Sequence, residues 1–505
     1  MTTQDNTLAS VGTEEEAGFA SAPRRRIWLP FHVALGAALV LLVFIFNSHT
    51  MSDPDIWWHL NNAEQILHGH MPRVDTYSWT AKGSPWMDHE WLAEIPFYFA
   101  FKSFGLRGLY GFSFFLASLI LCLILYRSAK RTGDVKNAFV VAVYCVLLTV
   151  VSFGPRMLLF GWIYMIVMLL ALDRFREGST KAIWVIPPLF LLWVNSHGSW
   201  MIGLVVFGIV AASGLFSFEF GLIEARRWTR SELKLLIIVG VLSALALFIN
   251  PYGYKLVTYP FDMAFHQKLN IQHVEEWKSV DFHDARGKVV FLALAAVVGT
   301  LVFSRKKVLL ADLLLLLLAL YSGVTYVRFL FLLAILASPF LSARIRLFPP
   351  YNRSIDKPLM NLGFLVVVLG IIIWRFPTEA KLNIDLEKQF PAKSISYLKE
   401  HNIHDNVLTY YLWGGYLERF SPDLPVFVDS RVDIFEYNGT FKDYLELIGL
   451  KEPLAILDRR KIRYVYFKPD DPLVYFLRHT GGWDVLYEDS TSVLLKRRAA
   501  TEVNQ

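Results

Sequence analysis

RRRIWLPFHVALGAALVLLVFIF, residues 24–46, sets three arginines against an unbroken apolar run, and shortly after it comes the polar, tryptophan-rich DPDIWWHL, residues 53–60. The run from Ile27 to Phe46 has the ~20 residues needed to cross the ~30 Å hydrocarbon core of a bilayer. No small-residue cleavage pattern follows it, so it reads as a retained helix rather than a signal peptide. Lys and Arg gather on the cytoplasmic side of spanning helices, which puts the N-terminus in the cytoplasm and the DPD segment outside it. Residues 1–23 are small, polar and partly acidic, and read as a disordered cytoplasmic tail.

Working outward, the remainder of the 505 residues repeats this alternation. Hydrophobic residues make up 54% of the chain and charged residues 19%, with 39 Phe, 22 Tyr and 15 Trp, and the apolar residues fall in blocks. That pattern belongs to a polytopic α-helical membrane protein. The net charge of +6 comes from basic clusters in short loops, which orient a chain in a bilayer and argue against nucleic acid as a partner. Cys122 and Cys145 both lie inside apolar runs, so neither a disulfide framework nor a cysteine metal site is available.

About eleven spans are expected, at 27–47, 107–127, 137–152, 157–173, 182–197, 200–218, 233–250, 288–304, 308–325, 329–343 and 359–375, some of them short for the membrane and therefore tilted or re-entrant. Basic clusters at 24–26, 127–131, 174–176, 226–230, 305–307 and 344–346 mark every second boundary. The alternation places 48–106, 251–287 and everything after 376 on the extracytoplasmic side. The expected organisation is a transmembrane domain over 24–375, whose first extracytoplasmic loop is 48–106, and a soluble extracytoplasmic α/β domain over 380–498. In that domain a helical pattern occupies 391–402 and apolar strands lie near 406–411, 425–429, 463–467 and 483–496.

Acidic side chains next to lipid are costly unless they bind or catalyse, which draws attention to the first loop. Asp53 stands before Pro54, a favoured first helical residue, and can simply cap a helix running to about His68. Asp55 falls in the first turn of that helix with His59 four residues on, while Ile56, Leu60, Ala63 and Leu67 mark the apolar face. Asp88, His89 and Glu90 open a second helix, where acids also suit the helix dipole. HEWLAE is not a zinc-protease motif, because Ala93 stands where the second histidine is needed. Among Trp57, Trp58, Trp79, Trp86 and Trp91, most suit an interfacial belt, and one such as Trp58 could pack against a sugar ring. Arg156, His197 and Arg328 fall near the extracytoplasmic rim, where arginine either pairs with a carboxylate or holds a phosphate bidentately. In the tail, WGGY at 413–416 suggests a tight turn, and Asp429 with Arg431 a local salt bridge.

DPDIWWHL, HEWLAE, WVNSHG at 193–198, NPYG at 250–253, WGGYL and VFVDSR together resemble a bacterial branch of the GT-C superfamily of polytopic glycosyltransferases, which includes the protein O-mannosyltransferases and the oligosaccharyltransferase catalytic subunit. The resemblance implies a plasma-membrane enzyme that takes a sugar from a polyprenyl-phosphate carrier and passes it to an extracytoplasmic glycan, lipid or protein. It implies that Asp55 or Asp53 is the loop-one acid that activates the acceptor or binds a divalent metal, and that Glu90 is a second acid. In physical terms Asp55 would be the base. Arg328 or Arg156, or else Mg or Mn held by Asp53, Asp55 and His59, would stabilise the departing phosphate, with His59, His89, His197 and Trp58 lining the substrate site. A flippase of lipid-linked sugars or a non-catalytic scaffold would share the helices, but no paired Gly/Pro-broken helices in corresponding halves point to transport.

Overall fold

The computed structural model describes residues 28–47, 53–352 and 356–498. The expected tail at 1–23 and the arginines at 24–26 lie outside them. The helices of the membrane region are α1 (Phe31–Phe46), α2 (Ile56–Leu67), α3 (Trp91–Thr132), α4 (Val135–Thr149), α5 (Leu158–Arg176), α6 (Ile186–Val194), α7 (Trp200–Ser213), α8 (Arg230–Ala246), α9 (Tyr254–His266), α10 (Lys268–His273), α11 (Ala285–Phe303), α12 (Leu310–Thr325), α13 (Leu330–Arg344) and α14 (Pro358–Arg375). Among the described residues six helical stretches are long and apolar enough to cross a membrane, namely α3, α4 with its 3-10 extension to Ser152, α5, α11, α13 with the 3-10 turn before it, and α14; four shorter apolar ones accompany them. The chain is a multi-pass membrane protein. Helix α8 sits where a span was expected, but its first turn, RSELK, is charged and is closed by a capping box between Thr229 and Glu232.

Local chemistry sets the helix ends. Gly133 adopts the left-handed conformation that ends α3, and Asp134 then accepts the backbone N–H groups of Lys136 and Asn137 to start α4. Helix α3 runs unbroken from the HEWLAE stretch into the span expected at 107–127, with one kink at Gly105, whose φ of 60° suits glycine. Glu379, just past α14, takes the Leu106 and Arg107 N–H groups freed by that kink, at 2.9 and 3.1 Å. At the opposite end, strands β1 (Phe218–Phe220), β2 (Ile223–Ala225) and β3 (Val308–Leu309) form a small sheet that ties two of the basic loops together.

The C-terminal region adds α15 (Glu379–Glu387), α16 (Ser394–Glu400), β4 (Val407–Thr409), α17 (Gly414–Phe420), α18 (Val432–Tyr437), α19 (Thr440–Ile448), α20 (Pro453–Arg459), β5 (Tyr464–Phe467), α21 (Pro472–Thr480), β6 (Trp483–Glu488) and β7 (Val493–Arg497). The sheet order is β4-β5-β7-β6, with β4 and β5 parallel and the other pairs antiparallel. Two expectations are corrected. Residues 483–496 form two strands of a hairpin, not one. Residues 425–429 do not join this sheet, because Val426 bonds instead to the first loop, donating to the Tyr77 carbonyl at 3.3 Å and accepting from Trp79 at 3.0 Å.

The glycines of WGGY do something other than turn the chain. Both lie in α17, and they let α17 approach closely: a Cβ on Gly414 would sit 2.3 Å from the Cβ of Asp429, and one on Gly415 would sit 3.0 Å from the Pro54 carbonyl. The tail thereby presses on the head of α2. Arg431 completes the clamp, buried between Asp429 at 2.5 Å and the loop-one Asp75 at 2.7 Å, with Tyr77 and Trp86 rings beside it. The expected local salt bridge is thus also the bond between tail and loop. Gly414→Ala is expected to lower stability by ~2 kcal/mol through overpacking, read as a reduced thermal midpoint of the purified protein; an unchanged midpoint would contradict the close-approach role.

Candidate active site

Helix α2 starts one residue past the DPD motif. Asp55, not Asp53, is the N-cap residue of α2, without a side-chain capping bond; Asp53 instead accepts the Asp55 backbone N–H at 3.0 Å, and its other oxygen meets the Arg156 Nε at 2.5 Å. Arg156 lies between α4 and α5 just after Gly154 and Pro155, and also pairs with Glu276. Glu276 belongs to a 3-10 turn, Glu275–Trp277, that is tied to Arg328: the Val327 N–H donates to the Lys278 carbonyl at 3.1 Å, Val280 donates to Val324 at 3.1 Å, and the Arg328 guanidinium lies 4.2 Å above the Trp277 ring. Among the described residues no carboxylate lies within ion-pairing distance of Arg328.

WVNSHG and HEWLAE are joined by Asn195. It accepts from the Trp91 indole at 2.9 Å with its side chain and from the Leu92 N–H at 3.0 Å with its carbonyl. This brings His197 to Glu90, with Nε2 to Oε1 at 3.2 Å. The His197 Nδ1 accepts the Ser199 N–H at 2.9 Å, so in the neutral ring the proton sits on Nε2 and is donated to Glu90. His59 faces the other Glu90 oxygen at 3.4 Å and sets its Nδ1 2.6 Å from Glu94.

Asp53, Asp55, His59, Glu90, Arg156, His197 and Arg328, all named from the sequence, line one small polar cavity of about 70 Å3 together with Pro155, Met157, Leu158 and Glu276. Two nominated residues stand back from it. Trp58 is buried, with His59 stacked 3.6 Å from its ring and Trp86 edge-on at 5.7 Å, and its indole N–H points to Ser430 at 3.2 Å and Asp55 at 3.4 Å; no face is left for a sugar, and the residue holds Asp55 in place instead. His89 packs on Tyr259 at 4.8 Å. Glu276 and Glu94 were not nominated. The VEEW stretch at 274–277 lies in the loop expected at 251–287, but no spacing connects it to the DPD motif.

Burial decides the ionisation here. The Asp55 carboxyl is pushed up to about 7 by burial and then by the neighbouring Asp53 charge. Burial also raises Asp53, against the pull of Arg156. Glu90 is held well above the usual carboxylate range by burial and then by Asp55 and Asp88. His59 and His197 are pushed well below the usual imidazole range, first by burial, then by His89 for His59 and by Arg328 for His197. Glu276, beside Arg156 and Arg328, stays below its ordinary value despite burial. The cavity therefore combines a carboxyl that titrates near neutrality, a proton-holding acid and two guanidinium groups.

The donors do not fit the divalent metal considered from the sequence. Asp53, Asp55 and His59 share the cavity, but Asp53 is engaged by Arg156 and both His59 ring nitrogens face glutamates. Among the described residues no group of three or more His, Cys, Asp or Glu side chains is arranged to hold a metal ion.

No family model matches the sequence, and no curated protein matches it. Solved structures do. The archaeal oligosaccharyltransferase AglB from Archaeoglobus fulgidus, in complex with an inhibitory peptide and a dolichol-phosphate, aligns over 92% of this chain and 74% of its own with a TM-score of 0.51 at 12% identity. The chain has the GT-C fold. A second Archaeoglobus fulgidus oligosaccharyltransferase structure, tethered to an acceptor peptide containing the NVT sequon, covers 93% of this chain and 74% of its own at 11% identity with a TM-score of 0.49. In this GT-C fold the loop-one acids, the α4–α5 arginine and the 3-10 turn before α13 are brought to one end of the helices. Because the Asp53 charge is the largest effect on Asp55 after burial, Asp53→Asn is expected to lower the Asp55 titration midpoint. The protonated-carboxyl infrared band that Asp55→Asn removes reports it, and a midpoint unmoved by Asp53→Asn would refute the coupling.

Proposed function

We propose that this chain is a membrane glycosyltransferase that moves a sugar from a polyprenyl-phosphate carrier to a hydroxyl-bearing acceptor on the extracytoplasmic face. The observation that carries this reading is the cavity itself, in which Asp55, near neutrality, faces a shared space with Arg328, which among the described residues makes no ion pair. The GT-C fold supports it, and the AglB neighbour holds a dolichol-phosphate. So does a largely apolar groove of about 670 Å3 lined by Ile45 and Phe46 of α1, Leu147, Leu148, Val150 and Val151 at the end of α4, and Ala285, Arg286 and Val289 of α11. Its Val151 lies five residues before Arg156 in the chain, and such a groove suits an isoprenoid tail whose phosphate enters the cavity.

The chemistry follows from the charges. Asp55, as carboxylate, takes the acceptor hydroxyl proton while the acceptor oxygen bonds to the anomeric carbon and the carbon–phosphate oxygen bond breaks. The electron pair leaves on the phosphate, where Arg328, and Arg156 when it turns from Asp53, meet the developing charge. Glu90, holding a proton, donates a hydrogen bond in the same space, and His59 and His197 keep its two oxygens oriented. Mg or Mn would enter only by displacing Arg156 from Asp53, so no step is drawn through a metal. The tail, clamped to α2 beside the cavity, is placed to help choose the acceptor.

In proteoliposomes with labelled polyprenyl-phosphate sugar, the wild-type protein is expected to consume the donor, and Asp55→Asn to lose about 1000-fold or more in rate with normal expression, the scale of removing a positioned base together with its charge. Wild-type turnover in that variant would remove Asp55 from its role. Movement of the donor across the bilayer without consumption would favour a flippase. A base must be charged to act, so the rate should fall with a one-proton slope as pH drops below about 7; a flat profile between pH 5 and 8 would contradict a base shifted to about 7.

A further inference from the structure

A second charged cavity lies at the far end of the same helix. From Gly105, where α3 kinks, to Arg127 is 22 residues, ~33 Å of helix, about the thickness of a hydrocarbon core. The candidate active site flanks the start of α3, so Arg127 and Arg131 belong to the opposite leaflet. There, α3, α12 and α13 enclose a cleft of about 230 Å3 whose polar wall includes Arg127, Arg131, Lys307 and Arg344, and whose apolar wall includes Leu336 and Phe340.

Positive charge is in surplus in this cleft. Arg127, Arg131 and Arg176 share two carboxylates, Asp173 and Asp312: Arg127 Nε meets Asp173 at 2.7 Å, Arg131 meets Asp312 at 2.5 Å, and Arg176 reaches Asp312 at 3.5 Å. Lys307 pairs with the exposed Glu219. Arg344 donates only to carbonyls, those of Phe340, Lys306 and Lys307, at 3.1 to 3.3 Å, and lies 3.9 Å over the Phe340 ring. Lys306, beside the cleft rather than in its lining, donates to the carbonyl of the lining residue Ala343. Among the described residues neither Arg344 nor Lys306 has a carboxylate within ion-pairing distance. Burial, then the nearby Arg346 and Arg344, hold the Lys306 amine below its ordinary value.

We propose that this cleft is a binding site for the phosphate headgroup of an anionic phospholipid in the leaflet opposite the sugar-transfer site, with the acyl chains lying along the exposed face of α12. Guanidinium and ammonium groups suit a phosphodiester, and the exposed Leu314, Leu317 and Tyr321 on one face of α12 suit the chains, which a free anion lacks. The bound lipid would neutralise the end of the bundle where α3, α12 and α13 meet.

The test uses the full-length protein in nanodiscs of phosphatidylcholine with a minority of phosphatidylglycerol, counting retained phosphatidylglycerol by native mass spectrometry. The double variant Arg344→Gln/Lys306→Gln removes two cations without stranding a carboxylate, and is expected to retain the lipid about 10-fold more weakly. Arg226→Gln, an exposed arginine paired with Glu224 outside the cleft, should behave as wild type. Equal retention by all three proteins overturns the site, and displacement of the lipid by inorganic phosphate overturns the headgroup assignment in favour of a free-anion site. If the double variant does not fold, phosphatidylglycerol carrying a headgroup photo-crosslinker is applied to the wild-type protein. Labelling within 305–344 is expected, and labelling only elsewhere contradicts the proposal.

Discussion

A carboxylate buried against lipid must be neutralised, and this chain meets that demand at Asp53 by pairing it with Arg156, which in turn reaches Glu276. Removing one member of such a buried pair costs several times what an exposed pair contributes, because the partner's charge is left without compensation. The string of charges therefore pins three segments that are distant in sequence: the head of α2, the α4–α5 connection and the 3-10 turn at 275–277. With those fixed, Arg328 is placed by its stacking on Trp277 and Asp55 by its neighbours Asp53 and Trp58. The cavity exists because this pairing holds its walls.

The C-terminal region serves the same end from outside the bilayer-spanning helices. Gly415 has no side chain to hold α17 off, so α17 packs on the first turn of α2; Gly414 lets α17 close on Asp429, and Arg431 bridges Asp429 to Asp75 of the first loop. Glu418, in the same buried cluster, is held well above the ordinary carboxylate range by burial and by Asp429, which lets three acids sit around a single guanidinium.

Much of this was legible in the sequence because its signals are local. Apolar runs of spanning length, basic residues at every second boundary and acids at the heads of polar helices each follow from the chain's immediate chemistry, and the rim arginines stood out because a charge beside lipid needs a reason. The partners were not legible. Nothing in VEEW announces that Glu276 will meet Arg156 from 120 residues away, and nothing in a tryptophan-rich loop separates an interfacial belt or a sugar-facing ring from a buried one such as Trp58, which His59 and Trp86 cover. Residues 425–429 have the composition of a strand but found hydrogen-bond partners in the first loop before a sheet neighbour. The WGGY glycines suggested a turn, since close approach between helices distant in sequence leaves no local mark. The length of the spans was not legible either: α8, expected as a span, has 17 residues with a charged first turn and is not among the six helices long and apolar enough to cross.

The groove between α1, α4 and α11 and the cavity beyond it make one connected claim, that a lipid-borne phosphate reaches Asp55 from within the membrane. Photoreactive isoprenoid phosphate, irradiated with the purified protein in bilayers and mapped by peptide mass spectrometry, tests that claim most directly. The account predicts labels at Ile45, Phe46 and the 147–151 segment, suppressed by excess unlabelled polyprenyl phosphate. Labels spread over the exposed face of α14, insensitive to that competitor, would contradict it.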